Sequence, residues 1–483
     1  MKEMSHDIST FTKQFKIPIK PDQTFQHHYV CVHEYTLEEI EKIIASGSIE
    51  EQQKLSRYFY DRDGFYKRII LYYATLLKYS GLLVPNPSFG NQLSKLPLKK
   101  LYFKAMRYIE HLNLPEILTR MSIKALIDGC YYGVIKNLDK EQFTIIDLPS
   151  GFCRSRYKDG FGNDLIEFDV RYFYSIIDMQ KRVETLKSYP KVISSWFKRF
   201  DSGKTTESWV LIPGEIGICF PFFDDGRPLF LSVIPATIQY DEAVENERER
   251  ELEDIRKIIV QKVPHLTDGQ LLFEPDEALE MHAGTVGMLR GNKNLSVLTT
   301  YADVDAVVSK TSNEGAANAL EKMVQNIYSQ AGASINLFSP TGTQALATSI
   351  NNDMALMMIL GNKYSRFITF IINQLFANQN LSFSYVILPI NYYNQKEYID
   401  ETLKLAQSGY SFLLPSIASG VSQYSLMNVK ELENDVLKLH DMLIPLTSSY
   451  TQSGTGNPVG APKKPDEEKA VKTIQNENAI DNQ

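Results

Sequence analysis

A long charged segment in the middle of the chain sets the strongest limit on its fold. This segment, DEAVENERERELEDIRKIIVQKVPH, is dominated by Glu and Arg until Ile255, and Pro264 ends it. If residues 241–262 form one helix, it is about 33 Å long at about 1.5 Å per residue. Its first half has little apolar face, which leaves two interpretations open. It is either a solvated helix on a monomer or a helix packed against copies of itself through interleaved Glu and Arg.

A second unusual segment, YSQAGASINLFSPTGTQAL at residues 328–346, lies between two helical patterns. The helix before it, NEGAANALEKMVQNIYSQ, carries small residues that permit close approach of a neighbouring helix. The helix after it is predicted from about 344 to 378, with breaks at Gly361 and Asn362. The connection is rich in Gly, Ser, Asn, Pro and Thr and yet contains large apolar residues, which ordinary packing does not explain.

The N-terminal part of the chain is predicted to be mostly helical from about 36 to 112. Thr36 followed by Glu39 is typical of a capping box at the start of the helix TLEEIEKIIAS. A second helix is predicted in GFYKRIILYYATLLKYSGLLVP, closed by Gly81 and Pro85.

The character of the sequence changes over residues 143–240, where β-rich runs alternate with Pro, Gly and Asp. These runs are FTIIDLP, LIEFDVRYF, SWVLIP, IGICFPFF and PLFLSVIP. Residues 265–300 are predicted to form a small insertion of strands and turns. A strand, SFSYVILPIN, and a helical region to about 446 follow. Beyond Thr451 the sequence is polar and almost without large apolar residues, so we expect disorder there.

Composition limits the classes of function. With 483 residues, 43% of them hydrophobic and 23% charged, the chain is long enough for two or three globular domains. A net charge of -7 and a pI near 5.8 argue against a surface built to grip phosphates. Any contact with nucleic acid is therefore expected to be weak.

The cysteines and the apolar segments indicate intracellular synthesis without a membrane segment. Cys31, Cys130, Cys153 and Cys219 lie far apart in sequence, which predicts neither a disulfide framework nor a structural zinc site. The N-terminus has no run typical of a signal peptide, and the apolar stretches MALMMIL and FITFII are too short to span a bilayer.

Two motifs have the residue types of a catalytic or metal site. In SGKTTES, Gly203, Lys204 and Thr205 imitate the end of a phosphate-binding loop, but Lys198 stands where that motif needs Gly, so a polar hairpin turn is favoured. HHYVCVH gathers His27, His28, Cys31 and His33 without a second cluster of ligands, so an N-terminal strand or arm is favoured over a metal site. Motifs of the GxSxG and HExxH types are absent from the sequence. We therefore predict that the chain is not an enzyme, with no catalytic, cofactor or metal residues.

The order of these segments resembles the portal proteins of tailed bacteriophages, the head-to-tail connectors that form a ring around the DNA passage. The resemblance covers most of the chain and rests on order and spacing rather than on a chemically strict motif. Its carriers are DGFYKRIILYYATLLKYSGLLVP, LSVLTTYADVDAVVSK, NIYSQAGASINLFSPTGTQALATSINND and ELENDVLKLHDMLIPLTSSYTQSG.

The resemblance implies an α+β, mainly helical portal fold with wing, stem, clip and crown regions. The implied regions are a wing over 1–240, helical and then sheet-bearing; a stem helix over 241–263; a clip over 264–300; a second stem helix over 301–330; a tunnel loop over 331–344; a long helix and wing strand over 345–398; and a crown over 399–450. The polar tail, 451–483, need not belong to the ring.

The tunnel loop explains the mixed composition of the unusual segment. A loop lining a channel must touch a duplex that carries one charge per about 1.7 Å and still let it slide. The predicted loop residues are Ser334, Ile335, Asn336, Leu337, Phe338, Ser339, Thr341 and Thr343. The polar ones contact DNA without gripping it, and the apolar ones pack on neighbouring loops. Gly332 and Gly342 are the predicted hinges, and Lys310 is either a channel-lining ring of charge or a solvent-facing lysine.

The implied function is a structural portal at one capsid vertex, through which double-stranded DNA is packaged and ejected. The implied assembly is a ring of twelve copies, made in the bacterial host cytoplasm and found in the virion. The implied partners are the terminase large subunit, the scaffold, the major capsid protein, a head-to-tail adaptor and, non-specifically, the DNA. Two alternatives stay open: a ring-forming virion component that does not contact DNA, and a nucleotide-binding enzyme based on SGKTT.

Overall fold

The chain is mainly helical with several small sheets, which confirms the mainly helical α+β class. The computed structural model describes residues 35–87, 95–136, 143–160, 162–255, 257–262, 275–288, 295–300, 313–333, 344–376 and 381–439. The chain divides into two compact units, Met1–Ser419 and Gly420–Gln483.

The helices come in groups separated by short strands. In chain order they are α1 (Leu37–Ser46), α2 (Ile49–Arg62), α3 (Gly64–Leu76), α4 (Lys95–Leu112), α5 (Leu114–Asp128), α6 (Met179–Ser188), α7 (Lys191–Asp201), α8 (Ile234–Ile255), α9 (Pro275–Met288), α10 (Asn313–Gln330), α11 (Gln344–Leu375), α12 (Gln395–Gln407), α13 (Leu413–Ala418) and α14 (Gln423–Glu431). The 3-10 turn Leu231–Val233 leads into α8, and a π-helical turn, Leu432–Val436, follows α14.

The strands form small sheets of two or three members. They are β1 (Gly81–Pro87), β2 (Cys130–Lys136), β3 (Thr144–Asp147), β4 (Cys153–Lys158), β5 (Asp164–Asp169), β6 (Trp209–Leu211), β7 (Gly217–Pro221), β8 (Lys257–Lys262), β9 (Leu295–Thr300) and β10 (Leu381–Ile387). The sheets β1–β10, β3–β2–β7 and β4–β5–β6 are antiparallel, whereas β8 and β9 are parallel.

The capping box at the start of the first helix is confirmed. Thr36 Oγ1 accepts from the Glu39 amide at 3.3 Å, and the Glu39 carboxylate accepts from the Thr36 amide at 3.0 Å. Each bond satisfies one of the backbone donors that a helix start leaves without a partner.

The predicted end of the next helical segment is wrong, because α3 ends at Leu76 and the residues expected to close it belong to β1. Leu77 is already extended, and Tyr79 turns the chain with φ 53°. A Cβ at Gly81 would overlap the Tyr385 ring on the paired strand β10. Gly81 therefore permits close packing of two strands and does not terminate a helix.

The β-rich region forms two sheets around a shared apolar core with α6 and α7. The runs at 143–149, 165–173, 208–213 and 216–223 contribute strands as predicted. The run PLFLSVIP does not, because it forms the 3-10 turn and the first residues of α8. Pro235 is the second residue of α8, a position where proline costs no helical hydrogen bond, so the apolar run enters a helix.

The charged segment does not form one helix over 241–262. Helix α8 starts earlier, at Ile234, and ends at Ile255, and residues 257–262 form β8. The run Ile258, Ile259, Val260 favours a strand, and this strand pairs in parallel with β9. In α8 the early residues are buried, and most residues from 242 to 250 are exposed.

The insertion after the charged helix contains α9 as well as strands, which differs from the expected strands and turns. It is a β8–α9–β9 unit, since α9 crosses between two parallel strands and contacts β9. Helix α10 then packs along α8. Residues 301–312 of the predicted second stem helix lie outside the described residues, and its described part begins at Asn313.

The long helix α11 is continuous, so the predicted breaks at Gly361 and Asn362 are wrong. A Cβ at Gly361 would lie 3.1 Å from Met358 Sδ and 3.6 Å from Leu77 Cδ1. The tight neighbour is thus the Met358 side chain of the same helix, whereas Leu77 lies at ordinary contact distance. Gly361 stays helical despite its low helix propensity.

Helix α11 takes the place of a third strand along one edge of β10. Ser365, Thr369 and Asn373 recur every four residues, and we call them the β10-facing row. They accept from the amides of Ile387 (3.0 Å), Tyr385 (2.9 Å) and Phe383 (2.7 Å), and Asn373 Nδ2 also donates to the Phe383 carbonyl (3.0 Å). The backbone groups on this edge are therefore satisfied by side chains.

The predicted crown, 399–450, is divided between the two units. Helix α13 and most of α12 fall within it in the first unit. In the second unit, Ser422 Oγ accepts from the Ser425 amide at 3.1 Å and so caps α14. Residues 440–450 and the polar tail, 451–483, lie outside the described residues.

Candidate site: the anchors of the predicted channel loop

Most of the predicted site lies outside the described residues. This applies to Lys310, to Gly342 and to the predicted loop residues Ser334, Ile335, Asn336, Leu337, Phe338, Ser339, Thr341 and Thr343. The structure describes the chain up to Ala333 on one side of the loop and from Gln344 on the other side. The structure therefore shows the site through the two described segments that flank the predicted loop, which we call its anchors.

The first anchor is the C-terminal end of α10. Gly332 adopts the left-handed conformation with φ 75°, which terminates the helix. The Gly332 amide donates to the Ser329 carbonyl and the Ala333 amide to the Tyr328 carbonyl, both at 3.0 Å. Ala331 and Ala333 are buried. The predicted hinge residue Gly332 thus belongs to a hydrogen-bonded helix cap, and its movement as a hinge stays a prediction.

Helix α3 holds this anchor through Tyr73. The Tyr73 hydroxyl lies 3.0 Å from the Ala331 carbonyl oxygen, and the Tyr73 ring packs on Phe230 with 4.9 Å between ring centroids. Tyr73 is almost fully buried. A bond from this buried aromatic side chain to the Ala331 carbonyl fixes the backbone beside Gly332.

The second anchor is Asp353, in the third turn of α11, and it is held by the same helix α3. The Asp353 carboxylate oxygens lie 2.8 Å from the Tyr72 hydroxyl and 3.3 Å from the Tyr73 hydroxyl. Only 6% of Asp353 is exposed. Adjacent tyrosines on α3 therefore join the chain before the loop to the helix after it.

Burial is the main influence on the pKa values of the trio Asp353, Tyr72 and Tyr73. It raises the pKa of Asp353, although the hydrogen bonds from Tyr72 and Tyr73 oppose the rise. Burial, followed by the nearby Asp353 carboxylate, raises the pKa of both tyrosines. Both hydroxyls therefore keep their protons at neutral pH and act as hydrogen-bond donors.

The number of protons limits how completely the trio is bonded. Tyr73 has one hydroxyl proton and two acceptors within reach, the Ala331 carbonyl and the Asp353 carboxylate. When Asp353 is ionised, these acceptors compete for that proton. When Asp353 is protonated, it can donate to the Tyr73 oxygen while Tyr73 donates to Ala331, so protonation completes both bonds.

The N-terminal end of α3 contacts the N-terminal part of α8 and the C-terminal end of α10. The Phe65 ring lies 5.2 Å from the Tyr240 ring of α8 and 6.1 Å from the Tyr328 ring of α10, measured between centroids. Both pairs have the edge-to-face geometry that aromatic rings prefer. One helix therefore contacts the charged helix, the helix before the loop and the helix after it.

The sequence did not identify Tyr72, Tyr73 and Asp353. The contacts between the tyrosines and Asp353 join positions 281 and 280 residues apart, which no local pattern reveals. The signal available in the sequence was a lone Asp beside the apolar run MALMMIL, since a carboxylate in such a setting needs a partner.

The SGKTTES segment lies at the C-terminal end of α7, so the predicted hairpin turn is a helix cap. Gly203 has φ 70° and donates to the Phe200 carbonyl, and the Lys204 amide donates to the Arg199 carbonyl at 2.9 Å. A phosphate-binding loop must precede a helix, because the amides and the positive end of the dipole are at the helix N-terminus. Here the SGKTTES segment follows a helix, and its amides face the carbonyl oxygens at the helix C-terminus.

The fold brings together three cysteines that are far apart in sequence. Cys130 Sγ and Cys219 Sγ are 3.5 Å apart, and Cys153 packs against the same core. All three are free thiols. Burial raises the pKa of Cys130 and of Cys153, which favours the neutral thiol form of both.

The metal interpretation of HHYVCVH falls outside what the structure describes. His27, His28, Cys31 and His33 precede residue 35, where the described chain begins. Within the described residues, no group of three or more His, Cys, Asp and Glu side chains is placed to hold a metal ion.

Helix α11 contains one segment, Thr348–Leu375, that is long and apolar enough to cross a membrane by length and composition. Sequence inspection of its short apolar runs did not predict this. The same helix carries the buried Asp353 and the β10-facing row, and its Tyr364 is fully buried. These contacts pack one side of the helix against the rest of its unit, while positions such as Asn351 and Asn352 on its other side are exposed.

Neither a family model nor a curated protein matches the chain.

Proposed function

We propose that this chain is a bacteriophage portal protein, a structural ring through which double-stranded DNA is packaged and ejected. The observation that carries the proposal is the doubly anchored connection between α10 and α11. Helices α8 and α10 bracket the β8–α9–β9 unit, and α3 holds the chain on both sides of the predicted loop. A loop that contacts moving DNA needs such fixed ends, because the load on it must pass into the body of the protein.

The chemistry of the proposed loop fits a sliding contact. Asn336, Ser339, Thr341 and Thr343 are short and uncharged, so they can touch phosphates without strong ion pairs. Helix α8 has eight acidic residues and two arginines, and negative charge of this kind keeps DNA away from a channel wall. The proposed partners are twelve copies of the chain, the terminase large subunit, the scaffold, the major capsid protein, an adaptor and DNA.

The deciding experiment is negative-stain imaging of the purified protein together with its mass in solution. We expect rings with a central hole and a mass of about twelve times 55.1 kDa. A monomer at every salt concentration and high protein concentration would overturn the proposal.

A loop variant tests the contact with DNA and separates the portal from a ring that never touches it. We expect Asn336→Lys with Ser339→Lys to leave ring formation intact and to impair DNA packaging, since added cations grip phosphates. Asn351→Lys, at an exposed position of α11, is the control. Unchanged packaging by the loop variant would favour a ring component that does not contact DNA.

The enzyme alternative has a simple test. The position of Lys204 at a helix C-terminus argues against phosphate binding. We expect no nucleotide binding by the wild-type protein and unchanged function in Lys204→Ala.

A further inference from the structure

Helix α4 has a charge opposite to that of the whole chain. Its eighteen residues, KLPLKKLYFKAMRYIEHL, contain five Lys or Arg and one Glu. The chain carries a net charge of -7, so this helix concentrates positive charge in an acidic protein. Such a local excess indicates an electrostatic contact that the overall composition hides.

Three of the cations of α4 form a straight row with a histidine on the solvent side of the helix. Lys100, Lys104, Arg107 and His111 follow one another at spacings of four, three and four residues, which places them on one helix face. We call these four residues the basic row. All four are exposed. The row is about 16 Å long at about 1.5 Å per residue.

The opposite face of α4 is fixed against the protein. Ala105 and Met106 are buried, and the Tyr102 hydroxyl donates to the Leu83 carbonyl of β1 at 3.1 Å. The Tyr108 ring lies 6.4 Å from the Phe376 ring, measured between centroids. The helix cannot turn its cations away from solvent without losing these contacts, so the basic row is a rigid surface feature.

The charges of the row are distributed along its length. Arg107 Nε donates to His111 Nε2 at 3.2 Å, so His111 is the acceptor in this contact. Lys100, Lys104 and Arg107 supply the positive charge of the row. Lys99, whose ammonium lies 5.6 Å from the Phe103 ring centroid, adds a cation on the flank of the row.

We propose that the basic row, through residues other than those of the predicted channel loop, binds the phosphates of double-stranded DNA. The choice of DNA as occupant rests on the proposed function, which brings a duplex to this protein. The row length corresponds to about five phosphates of one strand at about 3.4 Å each. Lys and Arg side chains on a helix face contact phosphates without reading bases, so the binding is independent of sequence and sensitive to salt.

The test measures binding of a fluorescein-labelled duplex of mixed sequence to the full-length protein at several salt concentrations. In the variant Lys100→Glu/Lys104→Glu/Arg107→Glu we expect binding to weaken about tenfold or more. The slope of log affinity against log salt should fall by about 2.7, or about 0.9 for each lost phosphate contact.

The matched control is Lys181→Glu/Lys191→Glu/Lys198→Glu. These lysines are exposed on α6 and α7, and the control changes the net charge by the same amount. We expect it to bind DNA nearly as the wild type does. The conservative variant Lys100→Arg/Lys104→Arg should also retain binding, because it keeps every charge.

Equal losses in the charge-reversal variant and its control would overturn the proposal, since the effect would then reflect net charge alone. Absence of wild-type binding to DNA, with binding to poly-L-glutamate, would also overturn it and indicate an acidic protein partner. Ring formation is imaged on the same samples. Rings without a basic-row effect refute only this inference, whereas the absence of rings refutes the portal function whatever the row binds.

Discussion

Helices α11 and α4 both carry rows of polar residues at helical spacing, and the two rows face opposite environments. The β10-facing row of α11 bonds to the backbone of a strand. The basic row of α4 lies in solvent. Spacing alone does not distinguish them. The residue types do, because Ser, Thr and Asn are short enough to reach a packed backbone, whereas Lys and Arg extend their charges into water.

A geometric match explains how a helix serves as a strand's neighbour. Four helical residues advance about 6.0 Å and two strand residues about 6.7 Å, so the two repeats stay in step over three bonds. Asn373, Thr369 and Ser365 meet successive outward-facing amides of β10 in this way. The contrast with α4 predicts that substitutions in the β10-facing row lower the stability of the protein, whereas substitutions in the basic row weaken binding.

The largest expected effect is that of Asn373→Ala. It leaves both the amide and the carbonyl of Phe383 without their side-chain partner, and we expect a loss of about 2–4 kcal/mol in the free energy of unfolding. Asn351→Ala, on an exposed turn of the same helix, should cost less than about 0.5 kcal/mol. Urea denaturation of both variants measures the difference. Equal costs would show that the β10-facing row contributes nothing specific.

Thr369→Val should have a smaller effect. Valine has nearly the same shape as threonine but cannot accept the bond from the Tyr385 amide, so we expect a cost of about 1–3 kcal/mol. Thr348→Val on the exposed part of α11 is the control. A variant as stable as the wild type would mean that another group satisfies this amide.

Asp353→Asn should show its effect as a pH dependence. Because burial raises the pKa of Asp353, the folded protein holds this proton more tightly than the unfolded chain does. The wild type therefore loses stability relative to the variant as pH rises from the ordinary aspartate pKa through the raised value. Melting temperatures across this range test the prediction, with Asp61→Asn at an exposed position as control. A constant difference between the wild type and Asp353→Asn would contradict it.

The smallest expected effect on stability is that of reversing the basic row. Lys100→Glu/Lys104→Glu/Arg107→Glu changes exposed side chains, and we expect each change to alter the free energy of unfolding by less than about 0.5 kcal/mol. Thermal melts check this directly. A large loss would mean that the row stabilises the fold, and the contrast with α11 would then disappear.

Local signals in the sequence predicted some elements well. Thr36 and Glu39 specified a helix start because both partners of the capping box lie within one turn. The run SFSYVIL predicted β10 through its aromatic and β-branched residues. Stop signals were less reliable, since Gly81 permits close packing of two strands and Gly361 lies inside a continuous helix, and neither ends a helix.

The candidate site could be predicted only in part. Composition identified the segment between α10 and α11 as unusual, and Gly332 takes the conformation that favours glycine. The anchors could not be predicted, because Tyr73 reaches Ala331 and Asp353 from more than 250 residues away in sequence. Such contacts depend on the tertiary fold, and the periodicity of the sequence does not predict them.

Helix α3 has a mechanical consequence. Phe65 and Tyr73 are eight residues apart, so the contacts at the two ends of α3 are separated by about 12 Å along a single helix. A short helix resists compression along its axis because each turn is braced by backbone hydrogen bonds. We therefore expect a displacement of α8 at Tyr240 to be transmitted through Phe65 and α3 to Tyr73, which bonds to the Ala331 carbonyl before the predicted loop.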